Sequence, residues 1–436
     1  MESDGDTGIS LGQPLLELTQ PSVPENNTSF LKTVFNSANA ILGNGVLLVP
    51  YALATGGWLS IILLFTIFIA AAYTGLVVTR CLEVDPRIKS YPDIGEHAFG
   101  ITGKTIVLII LYADLYISTT GFLILEGDNL HNLFPNIGIE MLGVTMDGKS
   151  TFIVLTALVV LPTVILDDFS ILGYISASGV LASVLILGSV LWVGAIDGVG
   201  FHQKGSLLEW NGLSTTISLY MFCYSAHLVL PPLYNSMQDK TRFSRVVLTS
   251  FSLSTLIYAP MAIFGYMMFG PNMKTQITLN LPTENLSSQI AIYTTLVTPL
   301  TKYALILKPA IISLESWFKS SYTETRYFKL VLRTSLVATQ VVVALCLPFF
   351  TYLMSLTGAL LCATGSLAIP CLCYLKFSSI NLVKLRIVEK IFLCGIVFLS
   401  MLIMVFGTYT SLAEILAEII ELNRYSFRPN HLSSAN

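Results

Sequence analysis

Averaged over a window of about 19 residues, the chain resolves into apolar runs separated by short polar joints. The runs fall at 31–53, 58–78, 105–125, 151–166, 171–195, 213–233, 246–269, 290–312, 334–348, 351–375 and 391–412. Most are close to the about 20 residues that a helix needs to cross about 30 Å of hydrocarbon. The pattern therefore predicts an all-α polytopic membrane protein of about eleven transmembrane helices, numbered here in that order. The fourth run is short, and the stretch 334–375 is too long for one span and is divided at Pro348, so ten or twelve helices stay open.

Composition supports a lipid-facing surface. Of the 436 residues, 54% are hydrophobic and 11% charged, against roughly 25% charged in an ordinary soluble domain. Twenty-three Lys and Arg with 26 Asp and Glu cannot cover a soluble fold of this size. A net charge of −3 and a pI of 6.0 supply no stripe for tracking phosphates, which excludes a nucleic-acid partner. The seven cysteines lie within or at the ends of apolar runs and read as small buried apolar residues without a disulfide framework.

No basic segment followed by a short apolar run precedes the first helix; the early residues carry Glu2, Asp4, Asp6, Glu17 and Glu25. Residues 1–29 are expected to be a disordered cytosolic tail. The joints after helices 2, 6, 8 and 10 hold most of the Lys and Arg, among them Arg80, Arg87, Arg242, Arg245, Arg333 and Lys384. The alternate joints hold only Lys149, Lys204 and Lys274. By the positive-inside rule the N-terminus is cytosolic and the C-terminal tail, 421–436, is luminal. The sequon Asn285-Leu286-Ser287 then lies on the luminal side, where glycans are attached, whereas Asn26 and Asn27 lie on the cytosolic side.

Helix 1 carries Gly43-Asn44-Gly45 near its middle, and helix 6 carries Cys223-Tyr224-Ser225-Ala226-His227 before Pro231 and Pro232. Glycine disfavours a helix interior by about 1 kcal/mol against alanine, and backbone groups freed at bilayer depth persist only where they line a cavity or are buried in protein. A packing face of small residues is the alternative for either segment alone. The two segments lie five helices apart in order, on helices 1 and 6, so they run in opposite directions, as in an inverted five-plus-five repeat with its binding site at the breaks. The repeats are expected over about 30–195 and 213–376 within a transporter domain at 30–420, with one extra helix at 389–413. Exposed N–H groups at a half-helix N-terminus favour a carboxylate, and unwound carbonyls favour an ammonium group. A zwitterionic amino acid satisfies both.

The run from Phe35-Asn36-Ser37-Ala38-Asn39-Ala40-Ile41-Leu42-Gly43 through Val49-Pro50-Tyr51-Ala52 to Gly56-Gly57-Trp58, with Ser90-Tyr91-Pro92-Asp93-Ile94-Gly95-Glu96-His97-Ala98-Phe99-Gly100, resembles the amino acid/auxin permease family. Within it, the likeness is to the vacuolar amino acid transporters and the vesicular inhibitory amino acid transporter, over about residues 30–420. The resemblance implies the leucine-transporter fold, amino acid substrates and coupling to protons at an endomembrane. It also implies a pairing of helix 8 with helix 1: sodium-coupled members of the fold hold their sodium there, with a helix 1 residue matching Asn39. Lys302, inside helix 8, is then a candidate to replace that ion; a snorkelling or structural lysine is the alternative.

An ionisable group inside the membrane is costly and commonly functional. Asp114 in helix 3 is a second coupling candidate. Glu126 and Asp128 close that helix, as coupling groups or as solvated residues of a luminal vestibule. Asp167 and Asp168 read as a solvated turn. His227 is the third candidate, since an imidazole near pKa 6.5 suits an acidic compartment, and it is structural otherwise. Tyr112, Phe222 and Tyr224 are candidates to shape the side-chain pocket. Leu15-Leu16 is a weak endomembrane-sorting pattern.

No phosphate loop, activated Ser or Cys arrangement, or metal-ligand spacing occurs, so neither an enzyme nor a cofactor or metal is expected. The sequence points to a secondary transporter in the bilayer whose partners are an amino acid, neutral in side chain, and protons. Antiport into a vacuole follows from the resemblance alone. Symport, uptake at the plasma membrane, or an amino acid sensor on the same fold would use the same residues.

Overall fold

A helix satisfies its own backbone, so in hydrocarbon the chain can leave helical geometry only where protein takes over the freed groups. The computed structural model describes residues 28–137, 139–141, 144–165, 175–317 and 326–426. Its apolar helices are α1a (Phe30–Leu42) with α1b (Gly45–Gly56), α2 (Ser60–Val84), α3 (Tyr91–Leu133), α4 (Gly148–Ile165), α5 (Ile175–Ala195) and α6a (Leu213–Cys223) with α6b (Leu230–Ser236). Then come α7 (Phe243–Phe269), α8 (Leu286–Trp317), α9 (Arg326–Cys346), α10 (Phe350–Ser379) and α11 (Ile387–Ser426). Nine of these units are long and apolar enough to cross a bilayer, the bent pair α1a–α1b is a tenth, and the shorter apolar α5 brings the described residues to eleven. Large apolar side chains such as Ile62, Ile69, Trp192, Phe398 and Phe406 stand exposed along the outside, as lipid-facing positions do.

Several boundaries differ from expectation. α3 starts at Tyr91, where the Asp93 carboxylate accepts the backbone N–H groups of Ser90 at 2.8 Å and Lys89 at 3.0 Å. This first segment of almost three turns ends at Gly100, whose φ of 66° breaks the helix direction, so the Ser90–Gly100 stretch is a short helix leading into the span. α11 continues past the expected 413 because residues 413–422 remain strong helix formers. A hairpin not foreseen, β1 (Ile139–Met141) antiparallel to β2 (Val144–Met146), joins α3 to α4. Thr28, within the expected tail, pairs in parallel with Met237, giving its N–H to the Ser236 carbonyl at 3.0 Å and accepting from Gln238 N–H at 3.2 Å. Cys346 and Cys394 are exposed rather than buried, since they lie on outward faces.

α10 holds the second irregularity of the bundle. Between Phe350–Thr357 and Ile369–Ser379 its turns widen to a π-helix over Gly358–Ala368, a feature that recurs at functional sites. Gly358 lies so close to α6a that a Cβ would overlap the Ser218 carbonyl, and a Cβ on Gly407 of α11 would come within 2.6 Å of both the Ala359 Cβ and the Ser218 Oγ. These approaches clamp α6a, α10 and α11 together. A second clamp joins α3, α8 and α9: buried Gln340 donates to Thr119 Oγ1 at 2.6 Å and to the Tyr116 carbonyl at 3.1 Å, and it accepts from the Tyr303 hydroxyl. At one end of the bundle Arg80 pairs with Glu389 at 2.8 Å, tying α2 to α11.

Gly358→Val is expected to push α10 off α6a and to lower stability by about 1–3 kcal/mol; a thermal unfolding midpoint in detergent unchanged from wild type would contradict this packing.

Candidate functional site

The two breaks meet. α1a ends at Leu42 and α1b starts at Gly45 with a 48° bend between them, while α6a stops at Cys223 and resumes through a 3-10 turn, His227–Val229, into α6b. Pro231 and Pro232 sit in the first turn of α6b, where proline's missing N–H goes unused. Tyr258 of α7 lies across both breaks: its hydroxyl reaches the Ile41 carbonyl at 2.6 Å and the Cys223 carbonyl at 3.1 Å. The Cys223 thiol in turn reaches the Gly45 carbonyl at 3.7 Å. Gly45 is glycine because there is no room: a Cβ would sit 2.6 Å from the Tyr258 hydroxyl and 3.0 Å from the Cys223 sulfur. Gly43 differs, since a Cβ there would meet no atom within 4 Å.

The open side of the α1 break faces α5 and α8. A small cavity there is bordered by Gly43, Asn44, Gly179, Ser183, Thr295 and Lys302. Lys302, buried at 9% exposure, donates from Nζ to Asn39 Oδ1 at 2.8 Å, so α8 and α1a are joined by a charge-bearing side chain beside the break. The Asn39 amide fits only because residue 179 is glycine; a Cβ there would overlap Asn39 Oδ1.

Beyond α6, the π-helix of α10 supplies polar groups. Ser225 meets Ser366 at 3.3 Å, and the Cys362 thiol stands 4.0 Å from Asp114 Oδ1. Asp114 is thus half-buried beside α10 and is not the partner of Lys302. His227 turns away from the break, with Nε2 3.0 Å from the Ala71 carbonyl and 2.9 Å from Thr74 Oγ1, both on α2. Such a histidine pins α6 to α2. Tyr224 is likewise buried among Phe251 and Tyr258, with its hydroxyl 2.8 Å from Thr255; Ala226 is buried, and Phe222 and Tyr112 are half-buried.

The solvated vestibule expected for Glu126 and Asp128 does not hold. Glu126 is 1% exposed, and Asp128 pairs with Lys149 and accepts from Gln276 at 3.2 Å, because α4 and the α7–α8 connection cover this end of α3. Asn285 is half-buried just before α8, and the hydroxyl of Ser287 donates to the Asp197 carboxylate. Asp167, Asp168, Leu15, Leu16, Asn26 and Asn27 lie outside the described residues. Outside the spans, the hydrogen bond from Arg87 holds the Asp85 carboxyl down to about 2, and Thr241 lowers that of Asp239. Both stay ionised in neutral and mildly acidic solution, so neither supplies a pH response there.

Sequence reasoning missed Tyr258 and the α10 π-helix. A tyrosine in an apolar span looks like core, and Gly358, Gly365 and Ser366 look like a small-residue packing face.

Comparison with known proteins fits this geometry. The family described as transmembrane amino acid transporter protein matches residues 26–413. Amino acid transporter AVT1I of Arabidopsis thaliana is 50% identical over 393 residues, covering 90% of this chain and 96% of its own. Amino acid transporter AVT1J of the same plant is 49% identical over 393 residues, covering 90% and 92%. Among solved structures, the crystal structure of MhsT in complex with L-phenylalanine superposes with a TM-score of 0.57 at 14% identity, over 89% of this chain and 99% of that one. At that identity the likeness is one of fold, the leucine-transporter fold implied by the resemblance.

Two glycines in one break are expected to behave differently. Gly45→Ala forces Tyr258 and Cys223 apart and should lower stability by about 1–3 kcal/mol and reduce amino acid uptake; Gly43→Ala should fold as wild type and alter uptake only through the cavity. Equal unfolding midpoints for the two variants would refute the steric account.

Proposed function

The chain belongs to the transmembrane amino acid transporter protein family, a family of transporters and not of enzymes, and from that premise we propose that it carries neutral amino acids across a membrane by secondary active transport coupled to protons. The substrate's carboxylate is held by N–H groups at the start of α1b and its ammonium group by carbonyls at the ends of α1a and α6a. The side chain is met by Phe222 and Tyr112. Inverted repeats over about 30–195 and 213–376 make the two breaks move in opposite senses as the path opens to one side and then the other.

The observation that carries proton coupling is the bond from Lys302 to Asn39. A charged ammonium group makes a hydrogen bond about twice as strong as a neutral donor, so gain and loss of a proton at Lys302 tighten and loosen α8 against α1a beside the substrate. The work proposed is antiport: the amino acid enters an acidic lumen, such as a vacuole, as protons leave. The distribution of Lys and Arg supports a cytosolic N-terminus and a luminal α7–α8 connection.

The test is uptake of radiolabelled neutral amino acids into proteoliposomes holding the purified protein. An inside-acid gradient is expected to drive accumulation that an ionophore abolishes; saturable binding without flux under either gradient polarity would overturn transport in favour of sensing. Lys302→Met should stop or uncouple gradient-driven flux while binding persists, and an unchanged gradient dependence would remove Lys302 from the mechanism. For orientation, Asn285→Gln should abolish a glycosidase-sensitive shift in electrophoretic mobility; a wild-type chain without that shift would withdraw the glycan.

A further inference from the structure

The last turns of α3 concentrate polar side chains: Glu126, Asp128, Asn129, His131 and Asn132. Glu126 and Asn129 are three residues apart, so they share a helix face, and they are 1% and 0% exposed. Asn129 Nδ2 donates to Gln276 Oε1 at 2.9 Å, and Gln276 Nε2 donates to Asp128 Oδ2 at 3.2 Å. Asp128 is paired with Lys149, which also donates to the Pro348 carbonyl at 2.5 Å. The network thereby fastens the α7–α8 connection, the start of α4 and the α9–α10 connection to α3.

Orphaned atoms gather at the same place. Glu126 Oε1, Asn129 Oδ1 and His131 Nδ1 on α3, Thr151 Oγ1 on α4 and Thr278 Oγ1 on the α7–α8 connection are buried without a hydrogen-bond partner among the described residues. Such groups are few in native proteins and each calls for a water or an ion. A buried carboxylate left charged and unpaired is strongly disfavoured. The nearby lysines are engaged elsewhere, Lys149 with Asp128 and Lys274 with the Leu279 carbonyl at 3.0 Å. On the elements packed against α3, Lys302 of α8 is bonded to Asn39 and Arg333 of α9 is paired with Glu315, Tyr293, Cys346 and Tyr352 carry no fixed positive charge, and Asp128 and His131 are the nearest titratable groups along α3; no ion pair among the described residues reaches Glu126.

We propose that Glu126 is the proton-binding group at the luminal end of the transport path, the carboxylate that takes a proton from the lumen and gives it up again in each cycle. This rests on the proton-coupled reading above. Binding converts the carboxylate to a carboxylic acid, whose new O–H is the kind of donor that the orphaned amide oxygen of Asn129 lacks. Since Asn129 grips Gln276, the charge on Glu126 acts on the connection that closes this end.

The experiment compares wild type, Glu126→Gln and Glu126→Asp in sodium-free proteoliposomes, reading two quantities. One is accumulation driven by a pH gradient; the other is exchange of labelled for unlabelled amino acid without a gradient, which needs binding and alternation but no net proton movement. Glu126→Gln is expected to lose about tenfold or more of gradient-driven accumulation while its exchange stays near wild type, and Glu126→Asp to keep both with a shifted pH midpoint. Wild-type accumulation by Glu126→Gln overturns the proposal, as does equal loss of both activities in a folded protein. Should Glu126→Gln fail to fold, an unshifted midpoint in Glu126→Asp overturns it. A wild type without gradient-driven accumulation sinks the coupling reading itself and this proposal with it, an outcome distinct from the others because it precedes any variant.

Discussion

A backbone carbonyl released from a helix at bilayer depth has no water to turn to, and every other feature of the central site follows from finding it a partner. Tyr258 is that partner for two carbonyls at once, one from each broken helix. It has a single proton, so its hydroxyl can satisfy one carbonyl fully and the other only in part. The breaks therefore stay together and yet retain acceptor capacity, which is what a site for an ammonium group requires. Gly45 and Cys223 are the steric terms of the same bargain: the first leaves space for the hydroxyl, and the second fills the remaining gap with a soft thiol.

Around this junction the bundle separates into parts held by different forces. Buried glycines let α6a, α10 and α11 touch backbone to side chain, a packing device suited to hydrocarbon, where no hydrophobic force draws helices together. Side-chain hydrogen bonds hold α3, α8 and α9 through Gln340. Its neighbour across the helix interface, Tyr303, directly follows Lys302. The register of α8 that lets Lys302 reach Asn39 is thus held by a polar clamp on the next residue, about 100° further around the helix.

The spans were legible because their only requirement is a run of apolar residues of sufficient length, and the division at Pro348 survives as the connection before α10. The breaks were legible for the same reason in reverse, as polar or small residues where the membrane tolerates none without cause. Lys302 with Asn39 could be named because the resemblance supplied the pairing, and the geometry brings the two together. His227 and Tyr224 misled, since proximity in sequence to the break says nothing about which face of it a side chain takes, and both turn toward α2 and α7. Tyr258, Gln340 and the widened turns of α10 were invisible: each matters through contacts from helices far along the chain.

The fit of the Asn39 amide against Gly179 carries an implication for how such a protein changes over generations. The two positions belong to α1a and α5, and neither can vary alone. A lineage that gains even a methyl group at 179 must already have shortened residue 39, and in doing so it gives up the acceptor that holds Lys302. The order of substitutions is therefore constrained: departures from a lysine-linked to a differently linked α1–α8 pair pass through residue 39 first, with residue 179 free to follow.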